Sequence, residues 1–189
     1  MICFIATGTH GLSERGEIRI MNEQDAVELL KKAEQFGIDV WLDGGWGIDA
    51  LVGRQTRPHH DIDVFIEKRN AATFLEMIAT KGYSEIQMKY TTESHTVWRD
   101  ADERIIDLHL FEFGETDVLY FENESYPSDV FNGKGRIGDM SVRCLTAEAQ
   151  LRFHHGYETT DKDWHDVLVL CKTFGLSIPA EYADVMNKT

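Results

Sequence analysis

Two aspartates one residue apart, Asp61 and Asp63, stand in the stretch D-I-D-V-F-I. On a strand both side chains point to one face, about 6.6 Å apart, while Ile62, Val64 and Ile66 point to the other. Such a pair can hold a metal ion. Without a cation the two charges repel, and partial burial worsens it. Two solvated acids at the start of a strand are the plain alternative. A third acid, Asp107, interrupts the apolar run R-I-I-D-L-H-L-F and shares a face with His109 and Phe111. A charge on an exposed sheet face would explain it if it stood alone. Upstream, L-D-G-G-W-G (42–47) places Gly44 and Gly45 between a strand and a helix. Two glycines let backbone N–H groups approach a ligand, and a helix N-terminus favours an anion. A simple turn would use the same residues. Neither a P-loop nor G-x-G-x-x-G is present.

These residues need elements to hold them. Residues 22–36 read as a helix, with Asn22 able to cap, Val27, Leu30 and Ala33 on one face, and Gly37 as the stop. A strand over 38–43, a turn at Gly44-Gly45 and a short helix over 46–52 ended by Gly53 follow. The segment 54–60 is a loop, 61–67 a strand and 69–80 a helix. Strands are expected at 84–90, 93–99, 104–113, 117–121 and 136–144, with a hairpin turn at Asp100 to Glu103. Two amphipathic helices, 146–156 and 160–175, close the chain, with a third near 180–187. The fold class is therefore α+β, a short mixed β-sheet flanked by helices with a C-terminal helical segment. Residues 1–20 read as a disordered or artefactual extension ahead of a start at Met21. Residues 21–145 form the main domain and 146–189 the helical part.

The composition narrows the partners. The chain has 189 residues, 19 basic against 33 acidic, and a formal net charge of −14. That field disfavours nucleic acid, which needs a basic stripe, and anionic membranes. It suits cationic small molecules or metal ions held by carboxylates, although most of the acids serve solubility. Cys3, Cys144 and Cys171 are widely spaced with no C-x-x-C, so no disulfide framework is indicated and a reducing cytoplasm is the expected home.

The three motifs together are more specific than any alone. Gly-Gly, fifteen residues, D-x-D, then a third acid on a later strand resembles the nucleotidyltransferase superfamily that includes DNA polymerase β. W-L-D-G-G-W-G (41–47), R-P-H-H-D-I-D (57–63), I-D-L-H (106–109) and E-A-Q-L-R-F-H-H-G-Y-E-T-T-D-K-D-W-H-D (148–166) are similar to the small antibiotic nucleotidyltransferases. The lincosamide nucleotidyltransferases are nearest. The aminoglycoside 2''-nucleotidyltransferases share the D-G-G-W and D-I-D elements. The resemblance spans about residues 38–170, and segments 84–103 and 114–143 are not recognisable.

This resemblance implies a minimal nucleotidyltransferase fold, with Asp61 and Asp63 binding magnesium, two ions in all. Gly44 and Gly45 would line the triphosphate of ATP, joined by Arg57 and His59 of the family's R-x-H. Asp107 would be the third carboxylate, as general base or metal ligand. The implied reaction transfers AMP to a hydroxyl of a lincosamide such as lincomycin or clindamycin, in a site that can be completed across a homodimer. An aminoglycoside acceptor is the alternative, for which the acid-rich 112–124 segment could supply charge. A protein- or RNA-modifying enzyme and a catalytically idle nucleotide-binding module are further readings; the presence of all three acids argues against the last.

Other residues carry a plain reading beside a functional one. Arg54 and His60 suit a solvated loop as well as a phosphate. His154, His155 and His165 read as helix surface or core rather than zinc ligands. Lys162, Asp163 and Asp166 fit the family's K-D-x-x-D and could support nucleotide or acceptor, or merely the helix N-terminus. Trp41 reads as core and Trp46 as either packing or ligand stacking.

Overall fold

Alternation along two parallel strands organises the molecule. The computed structural model describes residues 20–182 apart from 116, 123, 155–158 and 181. The expected extension, save Ile20, lies outside them, as do His155 and most of the helix expected at 180–187. Strands β1 (Val40–Asp43), β2 (Asp61–Glu67), β3 (Ser84–Ile86), β4 (His95–Arg99), β5 (Ile105–Phe113), β6 (Val118–Phe121), β7 (Glu124–Pro127), β8 (Gly133–Ile137) and β9 (Met140–Cys144) form one sheet. Its main path runs β3-β4-β5-β2-β1-β9-β8, and β6 and β7 continue from the end of β5. β2 lies parallel to β5 and antiparallel to β1; β1 lies parallel to β9. The fold class is therefore the expected one, a mixed sheet flanked by helices.

Helices α1 (Glu23–Gln35) and α3 (Ala71–Ala79) cover one face. Leu29, Leu30, Phe74, Met77 and Ile78 pack there against Leu42, Ile62, Val64, Ile66, Ile106 and Leu108. α1 begins with a capping box, Asn22 Oδ1 accepting from Asp25 N at 3.0 Å and Asp25 Oδ2 from Asn22 N at 3.2 Å. The other face changes character along its length. At one end it carries aspartates; at the other Trp41, Phe65, Phe111, Phe121 and Phe131 pack into an aromatic cluster.

Several local expectations are corrected. Gly44-Gly45 is not a separate turn but the first turn of α2 (Gly44–Val52). The strand expected over 84–90 stops at Ile86, and β4 begins only at His95. The chain between them, 87–94, leaves the ladder and carries Tyr90. The strand expected over 136–144 is a hairpin, β8 and β9, turning at Gly138 with φ +54°. The helix expected over 69–80 opens with a 3-10 turn at Lys68–Asn70. β7 and the 3-10 turn at Ser128–Phe131 had no sequence signal. Helices α4 (Ala147–Phe153) and α5 (Asp161–Phe174) both pack on α2, through Ile48, Ala147 and Leu170.

Candidate active site

Strand register sets the site. Asp43, Asp63 and Asp107 are direct partners across β1, β2 and β5. Asp61 follows one alternation away on the same face of β2. Four carboxylates thus share one end of a cleft of about 150 Å³, walled by Gly44, Gly45, Arg57, Tyr90, His95, His109, His154 and Lys162. A larger groove, about 740 Å³, opens between α1, α2 and the β8–β9 hairpin and holds none of these carboxylates.

The glycines are dictated by these neighbours. Gly44 has φ +56°, and a Cβ there would overlap the Asp63 carboxylate. A Cβ on Gly45 would overlap the His59 ring and the Arg57 guanidinium, and one on Gly47 the buried Gln150 amide. Gly44 and Gly45 thereby bring α2's first turn onto the carboxylates, leaving backbone on the cleft wall.

Crowding shifts the acids upward. Burial pushes the Asp43 carboxyl up to about 6, against the Gly44 N–H and His154, with Asp107 adding to the rise. Asp63 is held well above the usual carboxylate range by burial and then by Asp61, Asp107 and Asp43, with Arg57 opposing. Asp107 is raised by burial, lowered by its bond from His95, and raised by Asp61. Asp43 Oδ1 is buried without a hydrogen-bond partner. This is a donor set that a divalent cation would satisfy.

Two histidines flank Asp107. His95 Nε2 donates to Asp107 Oδ1 at 2.7 Å, and His109 Nε2 lies 3.6 Å from the same oxygen. Burial and His95 hold His109 well below the usual imidazole range, so it is neutral. Tyr90 packs at a tilt against His95, its ring centroid 4.9 Å away. The Tyr90 hydroxyl is buried without a hydrogen-bond partner, its phenol raised by burial and by Asp107, Asp63 and Asp61.

A second network stands behind the first. Arg57 donates from Nε to Asp166 Oδ1 at 2.9 Å and from Nη2 to Oδ2 at 2.6 Å. Arg57 Nη1 also donates to His59 Nδ1 at 3.0 Å. A guanidinium only donates, so the His59 proton is on Nε2, facing Asp49 Oδ2 at 2.5 Å. Asp49 Oδ1 accepts from Thr56 N and Oγ1. Arg57 therefore lines the cleft, whereas His59, 1% exposed and beside Trp46, is one layer behind it.

Asp61, Asp63, Asp107, Gly44, Gly45 and Arg57 are thus brought together. Lys162 sits at the cleft rim. Asp163 caps α5, accepting from Thr160 N at 2.7 Å. Asp166 holds Arg57, and His154 lines the cleft with Nδ1 on Gln150 O at 2.8 Å. Arg54 and His60 are exposed outside it. Trp41 is core, donating to Phe131 O at 3.1 Å, and Trp46 is fully buried packing. Sequence reasoning assigned nothing to Asp43, Asp49, Tyr90 or His95. Asp43 had a signal, since it ends a strand two residues after Trp41 and must share its face. His95 and Tyr90 had none.

Known proteins resemble this chain in sequence and in fold. The chain is 27% identical over 151 residues to a lincosamide resistance protein of Staphylococcus haemolyticus, covering 78% of this chain and 92% of that protein. It is 28% identical over 142 residues to a 2''-aminoglycoside nucleotidyltransferase of Escherichia coli, covering 72% and 76%. The lincomycin-bound crystal structure of the lincosamide antibiotic adenylyltransferase LnuA superposes with a TM-score of 0.71 at 27% identity, over 80% of this chain and 98% of that one. ANT(2'')-Ia, solved with adenylyl-2''-tobramycin, shares the fold at TM-score 0.67 and 19% identity, over 86% and 92%. The Aminoglycoside-2''-adenylyltransferase family profile matches residues 25–170. The chain belongs to that family, and so to the antibiotic nucleotidyltransferases.

Proposed function

We propose that the protein transfers AMP from ATP to a hydroxyl group of a lincosamide. The observation that carries this is the convergence of Asp61, Asp63 and Asp107 on one sheet face, against the Gly44-Gly45 start of α2. The lincosamide acceptor is favoured by the relative of which the chain covers 92% and by the lincomycin-bound structure of which it covers 98%.

Asp61 and Asp63, with Asp107, would hold two magnesium ions; their crowding and mutual repulsion, beside the unpartnered Asp43 Oδ1, fit that role. When bound, magnesium neutralises phosphate charge and makes the attacking hydroxyl more acidic. Gly44 and Gly45 offer the triphosphate a close backbone wall. Arg57 offers it charge, held in place by Asp166 and His59. Asp107 accepts the proton of the drug hydroxyl. The freed oxygen bonds to the α-phosphorus as the bond to the bridging oxygen breaks, and pyrophosphate leaves. Burial raises Asp107, making it a better base than an ordinary carboxylate.

The aminoglycoside reading has one observation of its own. Glu122 Oε1 lies 3.9 Å from His95 Nδ1, so the acid-rich segment does reach the cleft's edge, where a polycationic acceptor would find it. A homodimer rests on the family resemblance. The cytoplasm is the proposed location; no helix among the described residues is long and apolar enough to cross a membrane.

The test is mass spectrometry of lincomycin, clindamycin and several aminoglycosides incubated with protein, ATP and magnesium. An adenylyl mass gain on a lincosamide, lost without magnesium or with Asp63→Asn, is expected. A gain only on aminoglycosides would replace the acceptor. No gain on any drug would overturn the reading.

A further inference from the structure

We propose that His95, Asp107 and His109 form a second cation site, for an imidazole-seeking divalent ion of the zinc class. The chemistry differs from that of the Asp61–Asp63 pair. An all-oxygen set suits magnesium or manganese, whereas two imidazoles and one carboxylate suit zinc, cobalt or copper. The two sites would share Asp107.

The geometry is close to what such an ion needs. The ligand atoms of all three residues lie within 4.8 Å of one another. His109 Nε2 and His95 Nε2 are 3.6 and 2.7 Å from Asp107 Oδ1. A tetrahedral zinc with bonds of about 2.1 Å holds its donors roughly 3.4 Å apart. Of these two distances, the His95–Asp107 one must open, by less than 1 Å or so on that geometry. All three residues line the cleft, so a fourth position would be open to solvent or substrate. β-pairing fixes the ligands: His95 is the direct partner of His109, and Asp107 lies one alternation along on the same face of β5.

A carboxylate also stands behind one ligand. His95 Nδ1 faces Glu122 Oε1 at 3.9 Å. When an ion takes Nε2, the ring proton moves from Nε2 to Nδ1, where Glu122 can receive its hydrogen bond. That is the carboxylate–histidine–metal arrangement that orients ligands in metalloproteins. The consequence, which rests on the role of Asp107 proposed above, is inhibitory. An ion on Oδ1 withdraws the base from the acceptor hydroxyl.

The full chain should be titrated with Co2+ in excess Mg2+ and without nucleotide, reading visible d–d absorption. One ion per chain, with the strong bands of low coordination, is expected. Asp61→Asn should leave the titration in place. His95→Gln and His109→Gln should each weaken it at least about tenfold. Because His109 is deeply buried, His95→Gln decides if His109→Gln fails to fold. Unchanged affinity in His95→Gln, loss of the bands in Asp61→Asn, or a cobalt–thiolate charge-transfer band would each overturn the site. In turnover assays, Zn2+ should lower kcat at saturating Mg2+ and a chelator should restore it. Cobalt bound without inhibition by zinc would remove the inhibitory consequence, whereas no adenylyl transfer to any acceptor would sink the proposed function and leave the cobalt result standing.

Discussion

Arg57 and Asp166 are 109 positions apart in sequence and grip each other through two parallel hydrogen bonds. The pair ties the loop before the D-I-D strand to the first turns of α5. It is nearly dry on the acid side, Asp166 being 2% exposed. Removing the Asp166 charge leaves the half-buried Arg57 guanidinium without its carboxylate partner. Asp166→Asn should therefore destabilise the protein by about 3 kcal/mol in urea denaturation. If Arg57 also contacts the triphosphate, the KM for ATP should rise with it. Unchanged stability would show that the bridge is not formed in solution.

Gly44→Ala separates two opposing effects. Alanine is the better helix former by about 1 kcal/mol, but here its Cβ would meet the Asp63 carboxylate at a positive φ. The clash should win. Turnover should fall by at least about a hundredfold, the scale of a misplaced catalytic group, and Tm should fall with it. Gly37→Ala, at φ +69° with open space around it, should cost about 1 kcal/mol and leave activity intact. Equal activity in both variants would mean that the Gly44 contact is unimportant.

Metal-free stability should run against the usual acid trend. Asp43, Asp63 and Asp107 are all raised in the folded state, so the native protein binds more protons than the unfolded one. Their contribution is most favourable below the unfolded pKa near 4 and is lost as pH rises through the folded value, about 6 for Asp43. Asp43 alone accounts for about 3 kcal/mol across that window. Thermal melts in chelator should therefore show wild type losing ground to Asp43→Asn between roughly pH 4 and 6. Parallel curves would contradict this.

Charge relief should also split stability from activity. Asp63→Asn removes the carboxylate most opposed by its neighbours. Without metal, its Tm should exceed that of wild type, while turnover with magnesium should fall by at least about a thousandfold, the scale of a lost catalytic group. Lower Tm together with retained turnover would undo the metal assignment.

His95 should set the acid limb of the rate profile. Its hydrogen bond favours the charged form of Asp107. His95→Gln should move the acid limb of kcat/KM to higher pH, because Asp107 loses that support. A fall in rate at every pH with no movement of the limb would indicate a purely structural role.

Much of this was legible in the chain. The D-I-D alternation alone placed Asp61 and Asp63 on one face, because a strand repeats every two residues whatever it packs against. Asn22 and Gly53 bounded α1 and α2 by local hydrogen bonding and a left-handed φ of +79°. The loop 87–94 and the β8–β9 hairpin were misread because strand ends depend on the neighbouring strand, which the local sequence does not name.

The kind of chemistry is already written in the chain. Acids at period two, glycines before a helix and a −14 charge specify carboxylates against a close backbone, in a field suited to cations. Which groups stand side by side came from the fold. Register across β1, β2 and β5 put Asp43 and Asp107 beside Asp63. Pairing of β4 with β5 brought His95 to Asp107, and packing of α5 delivered Asp166 to Arg57. Periodicity is a property of one segment, whereas register and helix docking are set by the burial of all segments together, so no local pattern could have fixed them.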